Sequence, residues 1–297
     1  MNRIVIHTPM NHRNALIEGL KQHLKEFHKK HGLETTIETP SHNYSKNWLL
    51  EYLERNSSPD MIITHASDLA VLSSEKIAEI FAPFRNRFQL STELEQQGFR
   101  EPGGFLHPFA LVPYVIICNT DMIEQENRPV KWEELFQPQW NNMITFPDAG
   151  TPISQIVLSF LYDYAPEKFQ EFYPAVKFQS SVVEALKAVR EGQYPLGIAN
   201  IGFAKIMAQK NVVPIWPQDG AVCIPQIMAW SRQADPRLLE LGDFMLSQPI
   251  QALFARQGFI PVNPTLPQQP HENGKCKLLW EGWDRYWEVT RKGYQLL

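Results

Sequence analysis

Leu111-Val112-Pro113-Tyr114-Val115-Ile116-Ile117-Cys118-Asn119 and Ala221-Val222-Cys223-Ile224-Pro225-Gln226-Ile227-Met228-Ala229-Trp230 are the two stretches that decide the fold. Both are long apolar runs, and the first is too rich in β-branched residues for a helix. Between them, 120–220 carries a further α/β pattern. A chain reads this way when it leaves one α/β lobe, builds a second and returns. The lobes are then discontinuous and joined by two crossing strands. There is no internal repeat, low-complexity segment or Gly/Ser linker, so the joint reads as a hinge rather than a tether. The predicted division is 1–111 plus 226–297 for the first lobe and 112–225 for the second.

Outward from these strands the pattern is α/β throughout. Ile4 to Thr8, Leu33 to Glu38 and Met61 to Thr64 read as strands. Between them, Arg13 to His31 and Asn47 to Arg55 read as helices, the first with Leu16, Leu20, Leu24 and Phe27 on one face and a stop at Gly32. Strand, helix, strand, helix, strand predicts parallel βαβ units. In the second lobe, Met143 to Phe146, Leu196 to Ala199 and Val212 to Trp216 read as strands. Pro152 to Tyr164, Val182 to Glu191 and Gly202 to Lys210 read as helices. Pro236 to Ser247, Pro249 to Gln257 and an aromatic helix over Lys277 to Arg291 complete the chain.

The chain has 297 residues, of which 43% are hydrophobic and 20% charged, which suits a globular protein of two domains or one large one and excludes a disordered one. Lys and Arg total 28 against 32 Asp and Glu, a net charge of −4. That argues against a nucleic-acid partner and leaves room for a small anion held by local donors. No run of 18 apolar residues predicts a membrane span. Met1-Asn2-Arg3 runs directly into Ile4-Val5-Ile6, so the chain as written predicts a cytoplasmic protein, or an extracytoplasmic one if an export segment was removed. Cys118, Cys223 and Cys276 are far apart and read as buried free thiols, with one disulfide or a reactive thiol as the alternative.

Nucleotide-binding glycine motifs, zinc motifs, EF-hand loops and the G-x-S-x-G elbow do not occur. The positive signals are loops at the carboxyl ends of strands, where open α/β sheets bind ligands. Thr8, Asn11 and His12 form one such junction, although Thr8 or Asn11 could instead cap the helix. His65, Ala66, Ser67 and Asp68 form the second, with Ser67 and Asp68 reading as caps of the next helix. Gly150, Thr151 and Ser154 form the third, a small-residue loop before a long helix that suits an anion. Asn200 and Gly202 form a fourth, and Asp219 precedes the second crossing. His7, His12 and His65 could converge, joined by His107 near the hinge, as a metal or pH-sensitive site, or could be scattered polar residues. His23, His28 and His31 read as solvent-facing. Trp280, Trp283, Tyr286 and Trp287 read as a docking face or, more simply, as packing on their own lobe.

These residues resemble a known family. Val112 to Thr120, then Trp132-Glu133-Glu134-Leu135-Phe136 with Pro138-Gln139-Trp140, is similar to the "PYVIVYNT … SWEDLLDPKW" stretch of type II periplasmic solute-binding proteins. Trp216 to Ala221 resembles their "WPEDGA" segment, and Gln248 to Pro264 their "VQQLFAKQGFFPSNP" segment. The iron(III)-type, or extracellular solute-binding, branch is the most similar. The resemblance implies two α/β lobes that close by a hinge on a ligand held by strand-to-helix loops. Iron-binding members use adjacent tyrosines near a second-lobe junction. Ala199-Asn200-Ile201-Gly202-Phe203 has no such pair here, and relatives without it often bind small anions or sugar phosphates.

The expected function is therefore capture of a small polar, anionic ligand for an ABC-type importer. Its partners would be that ligand and an ABC permease, and the protein would be a monomer. No cofactor, metal or catalytic residue is assigned. The alternatives are a cytoplasmic ligand-sensing paralogue, an iron(III) or other metal-ion binder, and an enzyme using His65 with Asp68 as acid and base.

Overall fold

The computed structural model describes the chain except for residues 41–46, 57, 209–210, 267–276 and 297. The first part alternates as the periodicity predicts: β1 (Asn2–Ile6), α1 (Met10–His31), β2 (Thr35–Glu38), α2 (Trp48–Arg55) and β3 (Met61–His65). Two short helices follow, α3 (Ser74–Ile80) and α4 (Thr92–Gln96), before the long strand β4 (His107–Asn119). Then come β5 (Ile144–Pro147), α5 (Pro152–Tyr164), α6 (Pro166–Ala175), β6 (Lys177–Gln179), α7 (Val182–Arg190), β7 (Leu196–Asn200), α8 (Ile201–Met207) and β8 (Val212–Ile215). The second long strand, β9 (Ala221–Trp230), leads to α9 (Glu240–Met245), α10 (Gln248–Arg256), β10 (Ile260–Pro261), β11 (Leu278–Leu279) and α11 (Trp283–Leu296).

The chain divides into two units. The first is Met1–Leu111 with Ile224–Gln269 and Glu281–Asp284; the second is Val112–Cys223 with Pro270–Trp280 and Arg285–Leu297. β4 and β9 are the strands that pass from one to the other. Each carries a proline within two residues of its passage, Pro113 and Pro225. Both prolines fall just outside the registered pairs β4–β7 and β3–β9, so neither removes an N–H from those ladders.

In the first unit, β1 lies parallel between β2 and β3, with Ile4 opposite Met61 and Ile6 opposite Ile63. β9 then runs antiparallel to β3, from Gln226 opposite His65 to Trp230 opposite Met61. Ile4 to Ile6 and Met61 to Ile63 are buried throughout, as parallel strands covered on both faces must be. α1 covers them with Leu16, Leu20 and Phe27. It stops where Gly32 adopts φ 67°, and its last turn holds His28, Lys29, Lys30 and His31, which suits the negative helix end. His23 and His31 do not simply face solvent as expected. His23 stacks on Phe244 at 4.2 Å, and His31 Nε2 bonds Glu240 at 2.9 Å.

In the second unit, β7 pairs antiparallel with β4, from Tyr114 opposite Asn200 to Cys118 opposite Leu196. β5 and β6 extend it in parallel, and β8 lies antiparallel along the end of β4. α5 starts and ends as read from the sequence, with Thr151 as N-cap and Pro152 at its first position. Cys118 and Cys223 are buried free thiols; Cys276 lies outside the described residues.

The expected helix over Lys277 to Arg291 is corrected. Leu278 and Leu279 instead pair with Ala221 and Val222, and the helix begins after Gly282, at φ 94°. An open strand edge outweighs helix propensity there. The sequence reading returned the whole tail to the first lobe, but from Arg285 onward it lies in the second unit. Arg285 pairs with Asp163 of α5, Lys292 sits 5.0 Å over the Tyr162 ring, and Gly293 packs against Ser159. Trp283, Tyr286 and Val289 are buried, so this helix packs within the protein rather than presenting an aromatic docking face.

Candidate functional site

The carboxyl ends of β1 and β3 carry a cluster of buried polar side chains. His7 follows β1, and its Nδ1–H donates to Asp68 Oδ2 at 2.7 Å. Thr64 Oγ1 donates to the same oxygen. His65 ends β3, and its Nδ1 accepts from Gln226 Nε2 at 2.5 Å, across the β3–β9 pair. That acceptor role leaves the proton on His65 Nε2, which has no protein partner among the described residues. The His7 and His65 rings lie 5.9 Å apart, and Trp48 packs on His7 at 4.5 Å.

His12 lies in the first turn of α1, edge-on to Phe254 and Phe259 at 5.4 and 5.1 Å. Both of its ring nitrogens are buried without a hydrogen-bond partner. Thr8 Oγ1, Asn11 Oδ1, Asp68 Oδ1 and Gln226 Oε1 are likewise buried and unpartnered. Arg13 holds the Thr8 carbonyl oxygen with Nε at 3.1 Å and Nη2 at 2.7 Å, which fixes the turn between β1 and α1. Burial, with the charges of His65 and Arg13, lowers His12 to about 3. Burial also lowers His65 to about 4, with His7 and Arg13 adding to it and Asp68 opposing. Both rings are therefore neutral at pH 7, each with one N–H donor. Burial would raise Asp68, but His7, His65 and Thr64 outweigh it and hold the carboxyl below its ordinary range.

Several expectations change here. No side chain caps α1, since Pro9 occupies the cap position, so Thr8 and Asn11 are not its caps. Ala66, Ser67 and Asp68 lie inside a buried 3-10 turn, Ala66–Val71, and Ser73 caps the next helix instead. His65 and Asp68 are not bonded to each other: His65 Nδ1 accepts from Gln226, and Asp68 Oδ2 accepts from His7 and Thr64. His7, His12 and His65 do gather in one region. His107 does not join them, since it packs on Trp230 at the other end of β3.

In the second unit, the loop before α5 is internally bonded. Gly150 N–H donates to Asp148 Oδ1 at 2.9 Å, Thr151 N–H to the Asp148 carbonyl at 2.9 Å, and Ser154 N–H to Thr151 Oγ1 at 3.3 Å. Ser154 Oγ donates to the Pro147 carbonyl at 2.8 Å. Gly150, Thr151 and Ser154 thus bind their own loop. At the β7–α8 junction, Asn200 Oδ1 caps α8 by accepting from Phe203 N–H at 2.9 Å, beside buried Gly202. Asn200 Nδ2 and Gln155 Oε1 are buried and unpartnered. Asp219 accepts from Trp132 N–H at 3.1 Å, next to the Trp132 indole bond to the Gly220 carbonyl at 2.7 Å. It is a half-buried tie for that turn, and burial raises its pKa.

Gln226, Gln155 and Arg13 were not singled out from the sequence. Gln226 and Gln155 had a signal, a lone amide inside an apolar run; Arg13 had none. Among the described residues no three His, Cys, Asp or Glu side chains gather as they would around a metal ion.

A sequence profile of bacterial extracellular solute-binding proteins matches residues 56–288. The chain belongs to this family. The fold of this solute-binding protein matches solved relatives end to end. A ferric binding protein from Campylobacter jejuni superposes with TM-score 0.78 at 15% identity, over 100% of this chain and 98% of that one. A Trichodesmium protein, IdiA (FutA), solved with iron and citrate ligands, gives 0.75 at 16%, over 99% and 97%. Iron-bound HitA from Pseudomonas aeruginosa gives 0.70 at 14%, over 98% of each. No curated protein sequence matches. The expected type II periplasmic-binding-protein fold is thereby observed, and the chain is an extracellular solute-binding protein by family. No helix among the described residues is long and apolar enough to cross a membrane.

Proposed function

We propose that this solute-binding protein captures a small, oxygen-rich anion without chemical change and delivers it to an ABC permease. The observation that carries this reading is the group of buried, unpartnered polar atoms at the ends of β1 and β3. Each such atom costs about 1–3 kcal/mol, and native proteins keep few of them. Thr8 Oγ1 and the neutral rings of His12 and His65 supply hydroxyl and N–H donors there, which suits carboxylate or phosphate oxygens. Asn200 Nδ2 and Gln155 are the corresponding groups of the second unit. The two units are read as the two lobes and β4 and β9 as the hinge strands, so that closure is the signal a permease reads. The family is an extracellular one, and the encounter with the ligand is read as extracytoplasmic.

Iron(III) is the second reading, favoured by the ferric-binding and iron-bound proteins of like fold. Calorimetric titration with orthophosphate, citrate and iron(III), each alone, separates the two. The anion reading expects one-to-one binding of phosphate or citrate, about tenfold weaker in Thr8→Val. The same variant should leave the free protein as stable as before or more so, because it removes a buried hydroxyl that has no partner. Stoichiometric binding of iron(III) alone, or no loss of anion affinity in Thr8→Val, would overturn it.

A further inference from the structure

The first unit holds a pocket of about 250 Å³ away from the strand carboxyl ends. His107 at the start of β4 lies 5.8 Å from the Trp230 ring, and Trp230 is opposite Met61, the first residue of β3. The polar cluster begins at His65, four residues and about 13 Å further along that strand. The pocket is therefore not the crevice where open α/β sheets bind their usual ligands.

Its wall is built around two groups with unmet bonding capacity. His107 is only 5% exposed, and a hydrogen bond with the Gly104 backbone occupies one ring nitrogen. The other, Nε2, is buried without a partner. Burial, with the charge of Arg100, lowers His107 to about 4, so the ring is neutral and Nε2 is an acceptor. Arg85 lies exposed on the rim. Its Nε donates to the Gly103 carbonyl at 3.2 Å, and its two terminal nitrogens have no protein partner among the described residues. Gly104, at φ 74°, lets the Arg85 stem lie against the turn, since a Cβ there would stand 2.5 Å from Arg85 Cγ. The other charged groups are already satisfied. Arg100 Nε donates to Glu95 at 2.9 and 3.0 Å, and Glu101 accepts from the Gly103 and Phe105 N–H groups at 2.8 and 2.7 Å.

We propose that this pocket is a second ligand site, for a small carboxylic acid that also carries a hydroxyl group. The carboxylate pairs with the Arg85 guanidinium, the hydroxyl donates to His107 Nε2, and the carbon body lies against Phe88, Leu90 and Leu106.

Mandelate has these three parts. Phenylacetate lacks the hydroxyl and benzyl alcohol lacks the carboxylate. Calorimetric titration of the full chain should give mandelate a Kd of about 1 mM or tighter, with both controls at least about tenfold weaker. Arg85→Ala should weaken mandelate at least about tenfold with an unchanged melting curve. Should that variant not fold, Arg85→Gln keeps the stem, loses the charge and serves the same test. The His107 imidazole ¹⁵N resonance should move on addition of mandelate. The proposal is overturned by no mandelate binding, by equal affinity for mandelate and phenylacetate, or by mandelate binding that survives loss of Arg85. The last result would put the acid elsewhere, including at the β1–β3 cluster, and would leave the anion reading of that cluster standing.

Discussion

Asp68 carries the organisation of the polar cluster, because one buried oxygen accepts from both His7 and Thr64. Asp68→Ala removes both partners at once. The expected cost is about 3 kcal/mol or more, read from urea denaturation; a loss under about 1 kcal/mol would show that the carboxylate is not holding the cluster. The three neutral histidines set a pH dependence. His12, His65 and His107 titrate at about 3, 4 and 4 in the folded chain, below their ordinary 6.5. Below pH 6.5 the unfolded chain therefore binds protons that the folded one refuses, and stability falls with pH down to about 4. Each group contributes about 1.4 kcal/mol per pH unit in that window. Asp68, with its lowered pKa, adds a loss at the acid end, as pH falls through its folded value. The melting temperature should be level from pH 8 to 7 and drop steeply below 6.5, less steeply in His107→Phe. A curve that stays level to pH 5 would contradict the buried neutral rings. Thr8, His12 and His65 were legible as strand-end residues. Their partners were not, since Gln226 meets His65 only through the β3–β9 register.

At the scale of elements, local chemistry settled α5 but not α11. Thr151 followed by Pro152 is a complete start signal, and a continuous apolar run carries α5 to Tyr164. The tail has strong helical residues from Lys277, yet Leu278 and Leu279 pair with β9. α4 and α6 were not read from the sequence: α4 has only five residues and so little periodicity, and α6 follows α5 with only Ala165 between them. Helix α11 packs on α5 so closely that a Cβ on Gly293 would overlap Ser159. Gly293→Ala should therefore destabilise the protein by about 1–3 kcal/mol in urea, despite the better helix propensity of alanine. The double variant Gly293→Ala with Ser159→Gly should recover part of that loss. Full stability of Gly293→Ala alone would mean that the two helices do not approach this closely.

At the scale of the whole molecule, β4 and β9 each run from one unit into the other. Pro113 and Pro225 stand beside the two passages, each with one backbone donor fewer to hold the strand in place. Ligand binding about such a joint should shift the population of closed molecules. Small-angle X-ray scattering should show a smaller radius of gyration at saturating phosphate or citrate than without it. Saturated binding with an unchanged radius would rule out closure as the signal.

The sequence by itself determined the α/β class, the two crossing strands, the discontinuous organisation and the family. These follow from local periodicity and from motifs that a short stretch contains whole. Tertiary structure alone decided which polar residues share a site. It paired Asp68 with His7 instead of His65, brought Gln226 to His65, moved His107 to the far end of β3 and drew the tail onto α5. Hydrogen-bond partners and charge shifts depend on register between strands distant in the chain, and no local pattern encodes that register.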